Sequence, residues 1–161
     1  MKKIVVLTRA GVSAESGIKT FRDSNGLWEG HDVMSVASPE GWNANPELVL
    51  DFYNQRRRQA KEVDPNAGHL ALVELEKKFN VTIITQNVDN LHEQAGSSKV
   101  IHLHGELFKA CSVNDTSTVF DIEGTELNTG DLAPDGSQLR PAIVWFGEMV
   151  TMMDVAVEEV L

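Results

Sequence analysis

The chain has one cysteine, one tyrosine and five prolines in 161 residues, and no apolar run approaches the length of a bilayer span. Its single thiol, Cys111, excludes a disulfide within the chain and any structural zinc site made of four thiolates. Basic residues are also scarce. Fourteen Lys+Arg against twenty-four Asp+Glu leave a formal charge of -10, without the basic excess that binding to a phosphate backbone requires, so nucleic acid is not an expected partner. Residues 1–7 carry two lysines and then only a handful of apolar side chains, too few for the apolar region of a signal peptide. The expectation is a chain of the reducing cytoplasm, neither exported nor anchored. What is present is 42% hydrophobic and 24% charged residues, the composition of one ordinary domain with material for a core.

Residues 4–7 (Ile-Val-Val-Leu) form a short unbroken aliphatic run, the pattern of a strand buried on both faces of a parallel sheet. A second such run, residues 81–85, follows residues 65–79, whose Leu70, Leu72, Val73 and Leu75 predict a helix with Asp64 as N-cap and Pro65 at its first position. Asn80 is expected to stop it. Residues 46–62 predict another amphipathic helix, with Leu48, Val49, Phe52 and Tyr53 on its apolar side and Arg56-Arg57-Arg58 on its later turns. Between the first strand and this helix, residues 13–45 are Gly-, Ser- and Asn-rich and read as a long loop. Residues 99–103 and 142–146 read as further strands, 109–139 as a small inserted module with a polar, turn-rich stretch at 114–138, and 151–161 as the start of a helix. The fold class is α/β: a Rossmann-like parallel sheet with helices on both faces, one domain over 1–161, incomplete at its carboxyl end because the last helix has no strand to return to.

Three segments carry polar groups where open α/β sheets bind ligands. Leu7–Ile18 sets Ala10, Gly11 and Ser13 just past a strand, where backbone amides can approach a phosphate; alone, it reads equally as a tight strand-to-helix turn. Thr85-Gln86-Asn87-Val88-Asp89-Asn90-Leu91-His92 gathers amide and carboxylate side chains at a strand's carboxyl edge, or caps the helix that follows. In Ile101-His102-Leu103-His104-Gly105-Glu106-Leu107, the two histidines share one face of a strand; one of them suits a general base, and a metal pair is a second reading.

Together with Thr20-Phe21-Arg22-Asp23 and Arg140–Glu148, these segments resemble, in order, the motifs of the sirtuin family of NAD-dependent protein-lysine deacylases. Phe52–Arg58 contains a Tyr-x-x-Arg pair, Tyr53 and Arg56, similar to that of the bacterial members that remove acidic acyl groups, the desuccinylases and demalonylases. The resemblance implies a reaction in which the acyl oxygen attacks the nicotinamide ribose, nicotinamide leaves, and a histidine deprotonates a ribose hydroxyl. His104 matches that histidine; Gln86, Asn87 and Asp89 match residues holding the ribose and carboxamide; Phe21 and Arg22 those closing over the nicotinamide; Ala10, Gly11 and Ser13 those lining the phosphates. Val144, Phe146, Gly147 and Glu148 match the strand that pairs with the acylated protein substrate. Tyr53 and Arg56, three residues apart on a helix, would present a hydroxyl and a guanidinium to a succinyl or malonyl carboxylate. An exposed, solvated arginine run is the alternative.

The chain departs from the family in three places. Arg9 stands where sirtuins carry a glycine, which predicts a strained or obstructed phosphate turn. Cys111 is the only remnant of two C-x-x-C pairs, so no zinc and no other metal is expected and the module is a degenerate one. The carboxyl-terminal third of the family, which grips the adenosine half of NAD, has no counterpart after Leu161. These departures leave a second expectation beside the deacylase, a catalytically impaired remnant that binds acyl-lysine peptides or a protein partner. A generic nucleotide-binding module is a third, and it leaves Tyr53 and Arg56 unexplained.

Overall fold

A computed structural model describes residues 1–19 and 27–161. The chain opens with strand β1 (Lys3–Thr8), on the expected aliphatic run, and turns into α1 (Ala10–Ala14). The stretch expected as a long loop is built instead from small elements: a tight hairpin of β2 (Leu27–Trp28) and β3 (His31–Asp32), then α2 (Val33–Val36) and α3 (Pro39–Ala44). Local caps make these short helices. The Asp32 carboxylate accepts from the Met34 amide at 3.0 Å, and the Ser38 hydroxyl from the Gly41 amide at 3.0 Å. Neither helix is long enough to show an apolar period, which is why composition alone reads the region as loop.

α4 (Pro46–Lys61) follows, capped by Asn45, whose side chain accepts from the Leu48 amide at 3.1 Å. Its three arginines have three different fates. Arg57 is fully buried and donates to the carbonyls of Thr125 and Leu107 and to Asn54 Oδ1, so burial, above all, lowers its pKa to about 10. Arg58 pairs with Glu126 at 2.7 Å at the surface, and Arg56 lies over the Phe52 ring at 4.9 Å. α5 (Ala67–Leu75) is shorter than expected and starts later. Asn66, not Asp64, is its cap: its carboxamide accepts from Gly68, while the His69 ring accepts from the Asn66 amide at 3.1 Å. β4 (Asn80–Thr85) then includes Asn80, the expected stop, because that residue pairs with Lys3.

α6 (Leu91–Ala95) and β5 (Val100–His102) complete a parallel sheet of order β1-β4-β5. Its register aligns Thr8, Thr85 and His102 on one face and Leu7, Ile84 and Ile101 on the other. A second sheet is antiparallel, of order β7-β6-β8, from β6 (Gly105–Ser112), β7 (Val119–Asp121) and β8 (Leu139–Ile143). The terminal helix α7 (Met153–Val160) packs Ala156 against Ile84, Ile101 and Leu103. The main apolar cluster joins α2 and α4 to the antiparallel sheet through Val36, Val49, Phe52, Tyr53, Leu107, Ile143 and Trp145. The module itself is tied by polar contacts: Ser112 and Ser137 share a hydrogen bond between their hydroxyls, and the Ser137 amide donates to Asp135 at 2.9 Å. Among the described residues, no helix is long and apolar enough to cross a membrane.

Candidate active site

The carboxyl ends of β1 and β4, the β5–β6 turn and the segment after β8 meet around one cleft of about 460 Å³, within the range of small-molecule sites. Ala10, Ser13, Gln86, Asn87, Asp89 and His104 line it, and so do Val144, Phe146, Gly147 and Glu148 from the facing segment. His104 sits in the turn just before Gly105, which holds φ +85° and where a Cβ would fall 2.0 Å from the Ala142 carbonyl oxygen, so only glycine fits. The His104 carbonyl accepts from the Val144 amide at 2.8 Å. Its backbone is therefore held, while its ring, which lines the cleft, makes no hydrogen bond among the described residues.

Behind the cleft, hydrogen bonds hold the polar side chains in place. Ser13, which is 1% exposed, donates to Asp89 Oδ2 at 3.0 Å and accepts from Asn87 Nδ2 at 3.3 Å. Its second lone pair faces His69 Nε2 at 3.3 Å; since His69 Nδ1 accepts from Asn66, the Nε2 atom carries the proton. Asp89 Oδ1 accepts from the Leu91 amide, and Asn87 Nδ2 also donates to the Arg9 carbonyl. The His92 ring bonds Thr8 Oγ1 at 2.9 Å on the same sheet face, and burial lowers the pKa of both His69 and His92, keeping them neutral.

His102, considered from the sequence as the partner of His104, serves a different end. Its Nδ1 bonds the Asn87 carbonyl at 2.9 Å and its Nε2 bonds Glu93 at 2.9 Å, and only the doubly protonated ring donates to both. Burial alone would lower its pKa, but Glu93, the Asn87 carbonyl and Glu106 together raise it above the ordinary 6.5. A group with a raised folded pKa contributes stability that is complete below the unfolded value and is lost as pH rises through the folded one. The melting temperature is therefore expected to fall as pH rises across that interval, and Glu93→Gln is expected to flatten the fall. An unchanged slope in the variant would remove Glu93 from the account.

Several expected residues land elsewhere. Gly11 is exposed, does not line the cleft, and a Cβ on it would meet nothing within 4 Å, so no close approach requires glycine there. Phe21 and Arg22 lie outside the described residues. β8 ends at Ile143, and Phe146 and Gly147 form a turn with Gly147 at φ +91°. The expected pairing strand through 144–148 is thus absent. The amides of Val144, Phe146 and Glu148 already donate to His104, Ala37 and Trp145, leaving these residues as a wall rather than a free edge. Glu148 is clamped by Arg140 at 2.8 and 2.9 Å; burial raises its pKa, but the arginine and the Trp145 amide lower it overall.

Tyr53 and Arg56 do not line the cleft either. Tyr53 is fully buried, and its hydroxyl accepts from Trp145 Nε1 at 3.1 Å. Trp28 and Trp145 form the wall between it and the cleft. The strain expected at Arg9 is absent. Arg9 has φ -138° and ψ -176°, ordinary extended backbone at the start of α1, and its side chain is exposed. Arg9→Gly should therefore relieve nothing and cost about 0.4–1 kcal/mol through unfolded-state entropy, read by urea denaturation. A more stable glycine variant would show strain after all. Sequence reasoning assigned no role to His92 and Trp145, though both lie within motif segments, and passed over His69 and Trp28, which lie in none.

The chain matches the Sir2 family model over residues 9–161. It is 64% identical over 157 residues to a Helicobacter pylori protein named NAD-dependent protein deacylase, covering 98% of this chain and 68% of that one. A Bacteroides thetaiotaomicron protein of the same name is 59% identical, covering 99% and 70%. Among solved structures, a Sir2 homologue–NAD complex superposes with a TM-score of 0.86 at 42% identity, covering 99% of this chain and 64% of that one. A mutant Sir2 homologue bound to ADP ribose superposes at 0.87, also 42% identical, covering 99% and 66%. The chain thus spans about two thirds of the length of these relatives, and on the strength of the matched model and these identities it belongs to the Sir2 family.

Proposed function

We propose that this chain performs NAD-dependent removal of acyl groups from protein lysines, giving nicotinamide and O-acyl-ADP-ribose. One observation carries the reading: a single cleft gathers His104, with its unengaged ring, and the braced side chains of Ser13, Asn87 and Asp89. Relatives named NAD-dependent protein deacylase and a neighbour bound to NAD support it. The cleft suits the dinucleotide because the Gln86 carboxamide and the Asn87 Oδ1 atom make no hydrogen bond among the described residues, so they remain available to ribose hydroxyls and a carboxamide.

NAD supplies the ribose carbon that receives the acyl oxygen and the sugar hydroxyl that must lose a proton. Gln86, Asn87 and Asp89 orient the ribose, with the Asp89 carboxylate held in place by two donors, Ser13 and the Leu91 amide. Ala10 and Ser13 line the side where phosphates would pass. His104 accepts the proton. Val144, Phe146, Gly147 and Glu148 form the wall against which the acylated lysine lies.

The acyl group is acidic, succinyl or malonyl, in this reading. Its support is Arg56, whose Nε is buried and has no hydrogen-bond partner among the described residues, with Tyr53 three residues away on the same helix face. Incubation with NAD and a succinyl-lysine peptide, followed by mass analysis of the products, tests the whole. Deacylated peptide that disappears in His104→Ala supports it, and failure to take up NAD at millimolar concentration, read by calorimetry on folded protein, ends it. NAD uptake without turnover would favour a binding-only module. The reading assigns no zinc to the chain: elemental analysis is expected to find it far below one equivalent, and a stoichiometric metal would overturn that assignment.

A further inference from the structure

His102 is 8% exposed, and both of its nitrogens meet acceptors. Nδ1 lies 2.9 Å from the Asn87 carbonyl oxygen, which has no hydrogen to give, so Nδ1 carries one of its own. Nε2 then faces Glu93 Oε2 at 2.9 Å and Glu106 Oε1 at 3.8 Å. A ring lone pair aimed at two carboxylates is repelled by both, so a positive centre must stand between them, either a proton on the ring or a metal ion. With the proton, two carboxylates oppose one imidazolium and a negative charge is left over. With a divalent cation beside the neutral ring, the charges balance.

The geometry suits such an ion. Among the described residues, Glu93, His102 and Glu106 form the one group of three ligand atoms, all within 4.8 Å of one another. Ligands of a tetrahedral cation at about 2.0–2.2 Å stand roughly 3.3–3.6 Å apart, so rotation of the two glutamate side chains completes the set. Those side chains are 36% and 35% exposed, which gives them room to turn and the ion a way in. The ring is already oriented. A metal-binding histidine usually donates its other N–H to a carbonyl or carboxylate, as His102 does to Asn87. One imidazole and two carboxylates, with a fourth position for water, fit zinc and its neighbours better than calcium or magnesium.

We propose that Glu93, His102 and Glu106 form an exchangeable site for a divalent transition metal of the zinc class, outside the NAD cleft. None of the three residues lines that cleft. Two of them bracket His104 in the chain and the third comes from α6, so a bound ion braces the turn that carries His104. With three protein ligands, two of them partly exposed, the site trades metal with the solution, and a purified chain is still expected to hold far less than one equivalent. The inference is independent of the deacylase reading, because neither NAD nor an acylated lysine enters the site.

The test is calorimetric titration of zinc chloride into the full chain after treatment with a chelator, beside thermal melts with and without zinc, for the wild type, Glu93→Gln, Glu106→Gln and His104→Ala. The wild type and His104→Ala are expected to take up one zinc per chain with micromolar affinity and to melt higher in its presence. Each glutamine variant should bind at least about tenfold to a hundredfold more weakly, the loss that even an outer partner of a metal site produces. Added NAD should leave zinc uptake unchanged. No uptake at millimolar zinc, or equal uptake in the glutamine variants, which would mark adventitious binding to an acidic surface, overturns the proposal. So does uptake that NAD or His104→Ala abolishes, since the ion would then lie in the cleft. Where a glutamine variant is itself less stable, its zinc-induced shift is read against its own metal-free melt, and a shift as large as that of the wild type counts against the site. Failure to bind NAD would end the deacylase reading and leave this one standing.

Discussion

His104→Ala is expected to lower deacylation of an acylated peptide by about 10²–10⁴-fold, the contribution of a well-placed general base, while the chain stays folded. The turn around His104 is specified by backbone, which makes the prediction a clean one. Gly105 has positive φ and no room for a Cβ beside the Ala142 carbonyl, and the His104 carbonyl is tied to the Val144 amide, so backbone contacts rather than the imidazole hold the turn. Its neighbour His102 provides the contrast. That ring spends both nitrogens on Asn87 and Glu93 and is stabilised in its charged form, which makes it a poor proton acceptor. His102→Ala is therefore expected to act differently, by loosening the Asn87 backbone and weakening NAD affinity. A rate unchanged in His104→Ala would remove it from the mechanism, and equal effects of both variants on NAD affinity would mean that neither is the base.

The parts of this fold that are plain in the sequence are those specified by one strong local signal. β1 and β4 are β-branched runs, β4 buried on both faces while β1, the edge strand, leaves Leu7 exposed, and α4 has an apolar stripe bounded by Asn45-Pro46. Where two signals compete, the outcome depends on contacts distant in sequence. Asp64-Pro65 and Asn66 are both credible helix starts, and Asn66 prevails because His69 completes a capping box and the Asn66 carboxamide also donates to the Val12 carbonyl and Ser16. β6 is invisible as a strand because Gly105 opens it and one of its partners, β7, lies in the polar stretch that reads as turns. In the site, the motif residues at strand ends could be placed from the order of elements alone, and Ala10, Ser13, Gln86, Asn87, Asp89 and His104 do meet. Arg9 misled because the family's glycine suggests a backbone need that this turn, at φ -138°, does not have. The arginine run shows the limit best: burial decides among Arg56, Arg57 and Arg58, and burial follows from Leu107 and Thr125, residues fifty or more positions away.

Arg56→Met is expected to cut the preference for succinyl over acetyl substrates by roughly tenfold to a hundredfold, from about 1.5–3 kcal/mol for a hydrogen bond between charged partners. The guanidinium is half-buried against Phe52 at 4.9 Å, and burial lowers its pKa, with the charge of Glu29 opposing that effect. Its Nε reaches no acceptor among the described residues. Left so, the side chain bears a desolvation cost that, among the described residues, Phe52 and Glu29 offset only in part, and methionine, which fills the same space and packs well on an aromatic ring, should leave the melting temperature unchanged or raise it. The two effects together are diagnostic. A solvated surface arginine would change neither stability nor selectivity on replacement, and a purely structural one would lower stability and leave the ratio alone. Only an arginine kept for an anionic ligand loses selectivity without losing stability. The measurement is kcat/KM for succinyl and acetyl forms of one peptide beside a thermal melt, and a ratio that survives Arg56→Met removes the acidic acyl group from the substrate range.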